Sequence, residues 1–97
     1  NDDGVISATQ MDIETVKFNN TNSHFYLSGG TVYITATDTF NNNNGLISAN
    51  GNLILDTVSL DNRNGDLEAT DTLEITSSHT QIGGSRFFCG KSFGVDF

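Results

Sequence analysis

Residues 45–64 read GLISANGNLILDTVSLDNRN and residues 65–84 read GDLEATDTLEITSSHTQIGG, one phrase of twenty residues stated twice in succession. Aligned by residue type, Ile47 falls on Leu67, Ala49 on Ala69, Leu53 on Leu73 and Leu55 on Ile75. An earlier copy, GVISATQMDIETVKFNN at 4–20, puts Ile6, Ala8, Met11, Ile13, Val16, Phe18 and Asn20 on the same grid. A unit this short cannot bury its own apolar face. It acquires a core only by stacking on its neighbours, so each copy is one rung of a solenoid.

Within a copy the apolar residues alternate, which is strand periodicity. Ile47 and Ala49 point one way until Asn50-Gly51 breaks the run; Leu53 and Leu55 follow, then Asp56-Thr57. Val58 and Leu60 make a third strand that ends at Asp61-Asn62-Arg63-Asn64. Gly and Asn adopt left-handed or bridge backbone at low cost, so these breaks are corners, and three short strands per copy predict a three-sided β-coil. The expected coils are residues 4–22, 23–44, 45–64 and 65–84. The second is the least regular: Val32, Ile34 and Phe40 fit the grid, but Phe25/Leu27 and Tyr26/Ser28 compete for the inside. The extra residues around Ala36 to Asp38 predict a bulge or a wider corner. The expected core columns are Ile6, Ala8, Met11, Ile13, Val16, Phe18, Val32, Ile34, Phe40, Ile47, Ala49, Leu53, Leu55, Val58, Leu60, Leu67, Ala69, Leu73 and Ile75.

Asn20, Asn42 and Asn62 each close a third strand, with Ile82 at the fourth. An amide carries both donor and acceptor, so stacked asparagines can form a hydrogen-bonded ladder. Asn is also a good corner residue by itself; three agreeing copies favour the ladder. Residues 85–97, SRFFCGKSFGVDF, hold four of the seven Phe. Phe87, Phe88, Phe93, Val95 and Phe97 there are expected either to plug the open end of the core as a partial coil or to form a contact with another molecule.

The 97-residue chain carries 12 Asp and Glu against 4 Lys and Arg, a formal net charge of -8. Its four cations, Lys17, Arg63, Arg86 and Lys91, are scattered, which disfavours nucleic acid and anionic membranes as partners. No apolar run approaches a membrane span. The chain begins at Asn1 and carries no signal peptide, so a processed form or a piece of something longer is expected. One cysteine, Cys89, excludes an internal disulfide and leaves its role open.

The 45–64 and 65–76 segments resemble the haemagglutinin repeats of filamentous-haemagglutinin-type adhesins of Gram-negative bacteria, found also in the stalks of contact-dependent inhibition toxins. The Leu-Asp-Asn-Arg-Asn-Gly step at 60–65 is the most telling part. The resemblance implies a right-handed parallel β-helix, exported through an outer-membrane partner to the bacterial surface, with spacer or adhesive duty. The expected partners are neighbouring repeats and a receptor or glycan on a host or bacterial surface; apart from the resemblance, the two open ends of a four-coil stack predict a second copy stacked head to tail. A dedicated self-polymerising filament subunit is the alternative within that class. The Phe-rich end departs from the repeats.

Parallel β-helices also carry carbohydrate-active enzymes and carbohydrate-binding modules, whose lyase or hydrolase forms use paired carboxylates or calcium in a groove. Asp12 and Glu14 make an outward pair, and Glu68 and Glu74 offer others. Solvated outward acids are the ordinary result of this composition, and no long insertion builds cleft walls. Neither catalytic residues nor a cofactor are expected. Asp56, Asp61 and Asp71 stand singly, and His24, His79 and Cys89 lack ligand spacing, so no metal site is expected either. The Asn19-Asn20-Thr21 sequon is expected by chance in so Asn- and Thr-rich a chain.

Overall fold

A computed structural model describes residues 4–7 and 10–96. They form eight strands: β1 (Gly4–Ser7), β2 (Gln10–Asn19), β3 (His24–Asn41), β4 (Leu46–Asp61), β5 (Asp66–Ala69), β6 (Thr72–Gln81), β7 (Arg86–Cys89) and β8 (Ser92–Asp96). Every pairing is parallel, and the strands stack as a β-solenoid of about four turns. One side stacks β1, the start of β3, the start of β4, β5 and β7. A second stacks the start of β2, the middles of β3 and β4, β6 and β8. The third takes the ends of β2, β3, β4 and β6, so it is one rung shorter among the described residues.

The register records each insertion. From β4 onward the partners differ by twenty positions throughout, as in Leu53↔Leu73 and Leu73↔Phe93. Between β3 and β4 the offset falls from twenty-two at Phe25↔Ile47 to twenty-one at Val32↔Leu53 and twenty at Phe40↔Leu60. The second coil therefore carries two extra residues at two corners: one between Ser28 and Thr31, one between Ala36 and Thr39.

Phe25 and Leu27 take the inward positions, and Tyr26 faces out. Val32, Ile34, Phe40, Ile47, Ala49, Leu53, Leu55, Leu60, Leu67, Ala69, Leu73 and Ile75 lie buried, with Met11, Ile13 and Phe18 half-buried against them at one end. Two expected core residues face water instead: Val16 is 61% and Val58 44% exposed. Thr57, placed at a corner by the sequence reading, is the buried one at 5%, and Ser77 and Ala36 occupy the same column. The inward alternation of Leu53 and Leu55 thus runs one step further, and the corner falls at Val58–Ser59. The cause is a backbone carbonyl at that corner which needs a donor. Thr57 Oγ1 donates to the Ser59 carbonyl at 3.2 Å, Ser77 Oγ to that of His79 at 2.9 Å and Thr15 Oγ1 to that of Lys17 at 3.0 Å. A hydroxyl here satisfies a polar group that a valine would leave bare. Ala8, Phe97 and the side chain of Ile6 lie outside the described residues.

Candidate functional site

Four corners share one geometry. The segments 20–23, 42–45, 62–65 and 82–85 each turn through a residue with left-handed backbone: Asn22, Asn44, Asn64 and Gly84, with φ of 57°, 56°, 57° and 72°. Asn tolerates that region better than other side chains, and Gly is unstrained in it. The turn is closed by bonds such as Gly45 N to Asn42 O and Gly65 N to Asn62 O, both 2.9 Å. The first residue of three of these turns, Asn20, Asn42 and Asn62, points its side chain inward, whereas Ile82 in the fourth is exposed.

Asn20, Asn42 and Asn62 are all buried and form a continuous chain of amide bonds. Asn20 Nδ2 donates to Asn42 Oδ1 at 2.8 Å, and Asn42 Nδ2 to Asn62 Oδ1 at 2.8 Å. The second proton of each amide serves the backbone: Asn42 Nδ2 also reaches the Asp66 carbonyl at 3.0 Å, and Asn62 Nδ2 the Gly65 carbonyl at 3.3 Å. The acceptor of the Asn19-Asn20-Thr21 sequon, Asn19, is exposed, and its Oδ1 accepts from the Thr21 N–H and hydroxyl; only the middle residue, Asn20, lies inside.

The ladder dictates its neighbours. A Cβ at Gly65 would stand 2.5 Å from Asn62 Oδ1 and closer still to the Asn42 carbonyl oxygen, and Gly45 is hemmed in the same way. Gly83 has nothing within 4 Å of a Cβ. Gly65→Ala is accordingly expected to cost about 1–3 kcal/mol, the usual range for overpacking, while Gly83→Ala should be near neutral. Urea denaturation of the two variants checks this; equal stabilities would show that the ladder yields to a methyl group.

At the opposite end the columns continue into β7 and β8. Phe87 lies under Leu67, Cys89 under Ala69, Phe93 under Leu73 and Val95 under Ile75. Phe87 and Cys89 pack on the core, and the Phe87 and Phe93 ring centroids are 5.9 Å apart. Phe93 and Val95 remain largely exposed because, among the described residues, no strand pairs with the far edge of either strand. Phe88 does not belong to this group: it is 64% exposed and pairs with Glu68, whose neighbours in the column face outward.

The acids considered for chemistry are spread over the outer faces. Asp12, Glu14 and Glu74 are exposed, on the sides of β2 and β6. A shallow depression brings Glu68 near Arg86 and Phe88. Asp61 receives two bonds from Arg63, at 2.9 and 2.8 Å. That guanidinium holds the Asp61 carboxyl below its ordinary range. The pair stabilises the fold above the normal carboxylate pKa and loses that contribution as pH falls through the lowered one. His24 packs edge-on against Tyr26, and His79 lies exposed on the third side. Among the described residues no group of three or more His, Cys, Asp or Glu is placed to hold a metal ion. No helix there is long and apolar enough to cross a membrane.

A stack of parallel rungs with a buried amide ladder defines a structural repeat protein. The model of the haemagglutinin repeat family matches residues 27–86, more than half of the chain, and the chain belongs to that family. No curated protein and no solved structure matched it significantly. Haemagglutinin repeats belong to secreted surface adhesins and are typically non-enzymatic; the repeat and the solenoid together fit an adhesin-type structural repeat.

Proposed function

We propose that this chain is a non-catalytic, extracellular segment of an adhesin-type β-solenoid at the bacterial surface, serving as a spacer that stacks on neighbouring repeats. The observation that supports this most is the uniform twenty-residue register from β4 to β8, in which each rung stacks in the same alignment on the one before. In such a protein length is modular, because stability is a sum of rung and nearest-neighbour terms. Duplicating residues 46–65 between Gly65 and Asp66 should lengthen the body by about 4.8 Å, one strand spacing, and raise resistance to denaturant. Small-angle scattering and urea melts measure both. A duplicated chain that is destabilised or no longer will contradict the spacer reading.

The half-covered Phe93 and Val95 favour a second reading, a subunit that polymerises end to end. Its two faces differ, so the contact would be heterologous and would grow as a fibre. A charge of -8 opposes association, so added salt should promote it. Sedimentation with and without residues 85–97 tests this. A monomer at high salt and concentration, indifferent to that segment, eliminates the filament and leaves the spacer.

A further inference from the structure

The amide ladder has a direction, and its two ends are chemically different. Asn20 and Asn42 donate through Nδ2 to the asparagine of the coil that follows, and Asn42 and Asn62 accept through Oδ1 from that of the coil that precedes. Asn62 ends the donating side, because Ile82 stands in the next position and offers no acceptor. On the other side Asn20 is 1% exposed, and its Oδ1 is buried with no hydrogen-bond partner among the described residues. A buried acceptor left bare is costly, and native proteins rarely keep one. The counterpart atoms, Asn42 Oδ1 and Asn62 Oδ1, are both satisfied by the asparagine one coil earlier.

A second group on the same face points to the same neighbour. Ser23 and Ser85 occupy the positions of Gly45 and Gly65 in their turns. Ser85 lies beneath Asn62 and donates its hydroxyl to the Asn62 carbonyl. A serine is thus accommodated directly under an asparagine corner and bonds to it. Ser23 presents the equivalent hydroxyl on the face that carries Asn20, where it now donates to the nearby Thr21 carbonyl at 3.2 Å. Oδ1 of Asn20 asks for an amide N–H; Ser23 offers a hydroxyl to a carbonyl. One residue type at one position supplies both: the asparagine of a preceding corner.

We infer that the face carrying Asn20 and Ser23 is an interaction surface for a β-coil of the same repeat class whose corner residue is asparagine. The stack is therefore polar. A second copy of this chain docked by its β7–β8 end would bring Ile82 as the last residue on the ladder line, and Asn20 Oδ1 would stay unpaired. The neighbour on this face is a coil of the Asn-x-Asn-Gly kind and not this chain's own last rung.

The inference rests on the stacking reading above, and one set of fusions separates the two. Residues 46–65 are placed ahead of Asp3 of the chain, which puts the added corner asparagine twenty-one residues before Asn20, between the ladder separations of 22 and 20 seen within the chain. A second fusion carries Asn62→Leu in the added copy only, and a third carries Asn62→Asp there, an isostere that cannot donate when ionised. Stability is read by urea denaturation. The side-chain amide protons of the added asparagine are followed by NMR and hydrogen exchange. The asparagine fusion should exceed the leucine and aspartate fusions by about tenfold in the folding equilibrium constant, the scale of one buried hydrogen bond. Its amide protons should be as protected as those of Asn20 and Asn42. Equal gains for all three fusions, with rapidly exchanging amide protons, would overturn the asparagine specificity while leaving stacking intact. No gain for any fusion would overturn both.

Discussion

Phe40→Ala is expected to destabilise the protein by about 3–5 kcal/mol, the range for emptying a buried aromatic site. Phe40 is fully buried on the third side of the solenoid, between Phe18 of the preceding coil and Leu60 of the following one. The Phe18 and Phe40 rings stack with centroids 4.6 Å apart and planes 2° from parallel. Strand pairing holds consecutive rungs about 4.8 Å apart, so the neighbours cannot close onto an alanine, and the lost volume persists as a cavity. Phe18→Ala should cost distinctly less, because Phe18 is half-buried at the end of its column and water can enter. Urea denaturation of both variants tests the contrast. A Phe40→Ala cost below about 1 kcal/mol would mean that the third column is loosely packed, and Phe18 would then be indistinguishable from it.

How much of this architecture could be read from sequence depends on which force set each position. Columns governed by apolar burial were legible, because Leu53, Leu55, Leu73 and Ile75 repeat both a residue type and a spacing. The turn segments were legible too, since left-handed backbone at Asn44 and Asn64 demands a residue that hydrophobicity does not choose. The reading failed where a polar group inside outweighed an apolar one. At Val58, hydropathy pointed inward, yet the corner carbonyl of Ser59 required the Thr57 hydroxyl, and the valine was turned out to water. The signal was present as a column of small side chains, Ala36, Thr57 and Ser77, visible only once the coils are aligned on that position. Ala36 shows why: it lacks a hydroxyl, and its coil instead carries an extra residue between Ala36 and Thr39. The second insertion, between Ser28 and Thr31, hid the inward face of residues 23–30, since a one-residue shift exchanges the two faces of a strand. The end segment split for the same reason. Alternation places Phe87 and Phe93 in columns and Phe88 outside, which a count of phenylalanines does not distinguish.

Asn42→Ala is expected to cost about 2–4 kcal/mol, more than loss of a corner residue alone, because it orphans buried groups on its neighbours. Asn42 is the middle member: it accepts from Asn20 and donates to Asn62, and its amide also serves the carbonyls of Gly45 and Asp66. Asn20 Nδ2 keeps alternative acceptors in the Ser23 and Leu46 carbonyls, so the damage falls chiefly on Asn62 Oδ1, buried with no other donor among the described residues. If Asn42 served only its turn, alanine would cost a few tenths of a kcal/mol to about 1. Asn42→Asp separates the two accounts further. The carboxylate still accepts from Asn20 but faces Asn62 Oδ1 with a second acceptor, and burial raises its pKa above the unfolded value of about 3.9. A raised folded pKa means that stability is greatest below the unfolded pKa and falls as pH rises through the folded one. The protonated acid can donate to Asn62 Oδ1 and restore the ladder; the ionised form cannot. Asn42→Asp should therefore approach the parent in stability near pH 3 and fall away from it toward neutrality, whereas Asn42→Ala should show a deficit independent of pH. Parallel pH-dependent melts of the two variants would expose a corner-only role as two flat, equally small deficits.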